Sequence, residues 1–128
     1  MIFVKKISKW NNDCWLLSMD NQGLECLMSK YKTSNGMEIF FWENDSKKCS
    51  LNMNFRAKET NIFVADGSIV LNLSKKSSSQ FYEILVSLEG RYSCHQYFDI
   101  VGPDFDINLI ISKNEYFNNM DNLYKTTD

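Results

Sequence analysis

His95 is the single histidine of the 128-residue chain, and it directly follows Cys94, which sets a base beside a thiol. A nucleophile and its base must share a proton, so their side chains have to meet within hydrogen-bond reach. Neighbours in an extended segment project to opposite faces, so Cys94 and His95 are expected to lie apart, with His95 in a structural or interface role. Asp99, Asp104 and Asp106 form a second constellation. Paired carboxylates serve as general acid and base or hold a divalent cation, but this spacing does not match a calcium-binding loop and lacks its glycine. Two readings remain: aspartates that shape and solvate a turn, or an electrostatic contact surface. Cys14, Cys26, Cys49 and Cys94 are far apart with no C-x-x-C pair, so buried free thiols are expected rather than disulfides or a zinc site. The sequence has no G-x-S-x-G elbow, no phosphate-cradling glycine loop and no H-E-x-x-H. The expectation is a protein that is not an enzyme, with no catalytic residues, no cofactor and no metal.

Charge gives the carboxylates a setting. The net charge is −2, but residues 77–128 hold three basic residues (Arg91, Lys113, Lys125) against eight acidic ones, whereas residues 1–76 hold eleven against eight. An acidic last third attracts basic partners and repels phosphate. At 44% hydrophobic and 14% aromatic, 128 residues suffice for one domain, expected over 1–128. The lysines of Met1-Ile2-Phe3-Val4-Lys5-Lys6 follow the apolar residues, which is not a signal peptide, and no stretch approaches a membrane span. A cytoplasmic location with no membrane partner is expected.

The elements that must position these residues read as α+β. Leu24, Cys26 and Met28 alternate as a strand, with Asn35-Gly36 supplying a hairpin turn to Met37–Trp42, which is apolar on both faces and so reads as a central strand. Glu43–Lys47 makes the next reversal. Cys49, Leu51, Met53 and Phe55 then share one side of a half-buried strand. Ile62–Val64 and Ile69–Leu73 flank Asp66-Gly67, a second hairpin signal. Together these predict an antiparallel β-meander sheet, with Phe3–Ile7 and Cys14–Met19 available to extend it. Ser77-Ser78-Ser79-Gln80 offers a capping box, and Phe81, Ile84, Leu85 and Leu88 lie on one face of a helix ending near Gly90. A strand over Tyr82–Leu88 is the competing reading. One main helix packed on the meander is therefore expected. A C-terminal β-hairpin, Gln96–Val101 and Asp106–Ser112 about Gly102-Pro103-Asp104, should follow it.

Aromatics near lysine and arginine, in Phe40-Phe41-Trp42 with Lys47-Lys48 and in Phe55-Arg56-Ala57-Lys58, are how a sheet stacks single-stranded bases. Core packing is the commoner use, and the net charge is not positive, so no nucleic-acid partner is expected and an RNA-binding module is the alternative.

The run Phe81-Tyr82-Glu83-Ile84-Leu85-Val86-Ser87-Leu88-Glu89-Gly90, then His95-Gln96-Tyr97-Phe98-Asp99-Ile100 and Asp106-Ile107-Asn108-Leu109-Ile110-Ile111-Ser112-Lys113-Asn114-Glu115-Tyr116, covers the last third of the chain. Its order resembles small bacterial immunity proteins of contact-dependent growth inhibition and other polymorphic toxin systems. The resemblance implies a cytosolic, non-catalytic protein that covers the active site of a cognate toxin domain, often a nuclease; it carries over no contact residue. A nuclease must bind phosphate and is usually basic, so an acidic hairpin can mimic its substrate. The expected partner-binding residues are Glu89, Asp99, Asp104, Asp106 and Glu115, with Tyr97 as aromatic anchor.

Overall fold

The computed structural model describes residues 2–9, 12–43, 47–65, 67–102 and 106–114. In chain order these form β1 (Ile2–Lys9), β2 (Asn12–Met19), α1 (Asn21–Lys32), β3 (Met37–Glu43), β4 (Lys47–Ala57), β5 (Asn61–Ala65), β6 (Ser68–Ser74), α2 (Lys75–Leu88), β7 (Cys94–Val101) and β8 (Asp106–Lys113). The fold is α+β, with two mixed sheets in place of the single antiparallel meander expected. One sheet runs β1-β2-β8-β7 and the other β3-β4-β6-β5. Each is built from two hairpins whose inner strands pair in parallel, β2 with β8 and β4 with β6. The N-terminal strands thus pair with the C-terminal hairpin and do not extend the central sheet. The edges β1 and β3 lie beside one another.

The first helix overturns a strand reading. Leu24, Cys26 and Met28 do alternate, but Leu24, Leu27, Met28 and Tyr31 also recur at helical spacing, and it is Leu24, Leu27 and Met28 that are buried while Cys26 is exposed. Asp20 decides the matter as N-cap, its Oδ1 accepting from the Gly23 N–H at 2.8 Å. Burial alone would raise the Asp20 carboxyl, but hydrogen bonding, that of the Gly23 amide included, holds it below its ordinary value. Asn35-Gly36 accordingly joins α1 to β3 and is not a hairpin turn. The left-handed residue there is Ser34, at φ 59°.

The second helix forms where its stripe predicts, and the competing strand is not found. It starts earlier than the expected serine box: Ser74 caps it, accepting from the Ser77 N–H at 3.2 Å. Ser77 and Ser78 face inward instead. The Ser78 hydroxyl donates to Leu73 O and accepts from the Arg56 N–H, which a bulge in β4 turns toward it. At the far end Glu89 is the C-cap and Gly90 takes φ +80°, the left-handed exit that favours glycine. The buried Lys113 of β8 donates to Leu88 O at 3.3 Å and so satisfies a carbonyl at the negative end of α2.

One buried cluster draws on both sheets and both helices. Cys49, Leu51, Met53 and Phe55 supply the predicted inner side of β4, and Ile107, Leu109 and Ile111 that of β8. Phe81 of α2 lies 6.0 Å from the Phe55 ring and 5.5 Å from Phe98 of β7, so this helix bridges the sheets through aromatic contacts. Met37–Trp42 is corrected from a central to an edge strand: β3 ends its sheet, and Phe40 is 46% exposed. The four thiols are free as expected, but only Cys49 is buried and Cys26 is exposed.

Candidate functional site: the outer face of the C-terminal hairpin

In β7 and β8 the alternation of side chains sorts inner from outer residues. Phe98 turns inward and is buried, and Cys94 and Ile100 pack against the core. His95, Tyr97, Asp99 and Val101 take the other face and are exposed. The neighbours Cys94 and His95 thus part as the sequence predicts, and no thiol–imidazole pair forms on this strand. The His95 ring instead meets the Tyr97 ring edge-on, at 5.5 Å and 86°.

Register places the acidic residues. Asp99 lies opposite Asn108 and Val101 opposite Asp106, so Asp99 and Asp106 are diagonal neighbours on the outer face, about 7 Å apart at Cβ. Tyr97, 62% exposed, precedes Asp99 on the same face, and Val101, 79% exposed, follows it. The hairpin therefore presents an aromatic ring, an imidazole, an aliphatic side chain and two carboxylates to solvent, beside a strand that ends its sheet among the described residues. Val101 was not singled out from sequence, and His95 was expected in a structural or interface role but not among the contact residues, although the same alternation that selects Tyr97 and Asp99 selects both.

Three of the six expected contact residues, Tyr97, Asp99 and Asp106, come together in this way. Glu89 does not. As C-cap of α2 it sits on the helix side of the sheet, near the Cys94–Lys113 end of the hairpin. Asp99 and Asp106 lie at the other end, five residues or about 17 Å along β7. Asp104 and Glu115, with the Gly102-Pro103-Asp104 turn and the polar tail, lie outside the described residues.

Among the described residues, no three His, Cys, Asp or Glu side chains come together to hold a metal ion. A cleft of about 340 Å³ opens elsewhere, where α1 meets β1 and β3, lined by Ile2, Gln22, Gly23, Cys26, Glu38 and Phe40 among others. Its ionisable side chains are Cys26 and Glu38, a thiol and a carboxylate without an imidazole between them. Of the two aromatic-basic segments, Phe55 is buried in the core and the Arg56 guanidinium lies 4.7 Å from the Tyr31 ring. Phe40, by contrast, is exposed, with Lys48 Nζ 4.5 Å from its ring centre. No helix among the described residues is long and apolar enough to cross a membrane. Comparison with known proteins gives no matching family model and no match among curated proteins.

Proposed function

We propose that the protein is a binding module that neutralises a basic partner domain, in the manner of an immunity protein covering a toxin's active site, and that the outer face of β7–β8 makes the contact. The observation that carries this reading is the joint exposure of Tyr97 and Val101 around the Asp99–Asp106 pair, at a strand that ends its sheet among the described residues. Aromatic side chains set in a rim of charge supply most of an interface's energy, while the charges set the encounter rate and the choice of partner. A cationic nuclease cleft fits such a surface in sign, and a module of this kind acts without a catalytic group, cofactor or metal of its own. The test is to co-express the chain with the C-terminal domain of the protein encoded by the reading frame beside its gene. Growth should be protected and the two proteins should co-purify, and Tyr97→Ala should weaken both while leaving the melting temperature unchanged. Loss of neither would remove this face from the interface.

A second reading is favoured by Phe40 alone. An exposed ring with a lysine across its face, on an edge strand of a four-stranded sheet, is suited to stacking a single-stranded base. Single-stranded RNA retained by the wild-type protein, and released by Phe40→Ala, would support it.

A further inference from the structure

The chain has two kinds of sheet edge. β1 and β3 lie against each other, whereas β5 and β7 each end a sheet with a single ladder partner among the described residues. A free edge exposes a row of unpaired N–H and C=O groups, and proteins ordinarily blunt it with charge, proline, a bulge or a covering element. β7 carries Asp99 on its exposed edge. β5, Asn61-Ile62-Phe63-Val64-Ala65, carries no charge and no proline, and its register with β6 runs unbroken from Asn61↔Asn72 to Ala65↔Ser68. Its side chains are left open as well: Val64 is 72% exposed, and Phe63, on the opposite face of the strand, is 50% exposed.

We infer that β5 is a self-association edge, and that its occupant is β5 of a second copy of this chain. The sequence is complementary to itself about Phe63. Antiparallel pairing through a two-fold axis there sets Phe63 against its own copy, Ile62 against Val64 of the other copy and Asn61 against Ala65. Apolar residues then meet apolar residues on both faces, and no like charges are opposed at any of the five positions. A strand of five residues is about 17 Å long, so the paired edge lies at the small end of interface sizes, below about 1,200 Å² in total. An interface of that size belongs with the weak, transient ones. It leaves the β7–β8 face free, because β5 and β7 end different sheets.

Sedimentation velocity of the full chain between about 10 and 500 µM tests this. The average mass should climb from the monomer value toward twice that value. Val64→Lys and Phe63→Lys, both at exposed positions, should hold the mass at the monomer value, with melting temperatures showing that each variant is folded. Tyr97→Lys, on the other free edge, should associate as the wild type does. A wild-type mass that stays constant across the range would overturn the inference, and so would Val64→Lys and Phe63→Lys variants that associate undiminished.

Discussion

Ser18 and Ser112 lie opposite each other on the parallel strands β2 and β8. Both are fully buried, and neither hydroxyl has a hydrogen-bond partner among the described residues. Burying an unsatisfied hydroxyl costs about 1–3 kcal/mol, whereas replacing it with an apolar group removes that cost. The substitution to test is Ser→Ala at each position and at both. Removing one oxygen leaves a space of roughly 10–15 Å³, which at about 24 cal/mol per Å³ costs only about 0.3 kcal/mol. Each single variant should therefore be more stable by about 0.5–2 kcal/mol. The double variant should fall short of the sum, because the two residues are neighbours. For a chain of this length the gain corresponds to a rise in Tm of roughly 3–5 °C per kcal/mol. Urea unfolding with unchanged m-value is the assay. A loss of more than about 0.5 kcal/mol in either single variant would refute the reasoning, since it would mean that the hydroxyl holds a partner, a bridging water included.

Other expectations follow from the same structure. Asp20→Ala should cost about 1 kcal/mol at pH 7, as removal of an N-cap does. The Asp20 carboxyl titrates below its ordinary value when folded, so its contribution is complete above about pH 4 and disappears as pH falls through the lower folded value. Unfolding curves of wild type and variant should thus converge in acid and nowhere else. Gly90→Ala should cost roughly 1–2 kcal/mol through backbone strain alone, because a Cβ there meets nothing within 4 Å and φ is +80°. Gly90→Asn should recover part of that in thermal unfolding, since asparagine tolerates the left-handed region. Leu85→Ala, at a fully buried position of α2, should cost about 2–5 kcal/mol. A loss below about 1 kcal/mol in urea unfolding would show that this stripe is not the seam between helix and sheets.

The parts of the fold that were legible in the sequence are those governed by local pattern. β4 and β8 announce themselves by strict alternation, α2 by its stripe and terminal glycine, and the β5–β6 hairpin by Asp66-Gly67, whose glycine takes φ +81°. The residues of α1 satisfy both periods at once, because Leu24 and Met28 belong to either. The deciding signals were Asp20 at the N-cap and Leu27 on the inner face, with Cys26 facing solvent. Parallel pairing of β2 with β8 joins segments about ninety residues apart, so no local signal announces it. β3 shows the limit of composition. Its apolar residues on both faces resemble a covered strand, yet the strand lies at an edge with Phe40 open.

The candidate site divides along the same line. Tyr97 and Asp99 share a face because they are two residues apart on one strand, and Asp106 joins them through hairpin register, both readable from spacing. Glu89 is closer to Tyr97 in sequence than Asp106 is, but the exit from α2 carries it to the opposite side of the sheet. Proximity in sequence across a helix terminus does not imply a common surface, whereas alternation along one strand does.

The central claim is that the outer face of β7–β8 steers and anchors a basic protein partner. Stopped-flow association with the co-purifying toxin domain, at about 50 and 500 mM salt, tests it most directly. The rate constant for the wild type should fall steeply with salt, and Asp99→Asn combined with Asp106→Asn should lower it at low salt and flatten that dependence. Equal rates for wild type and variant at both salt concentrations would contradict the claim.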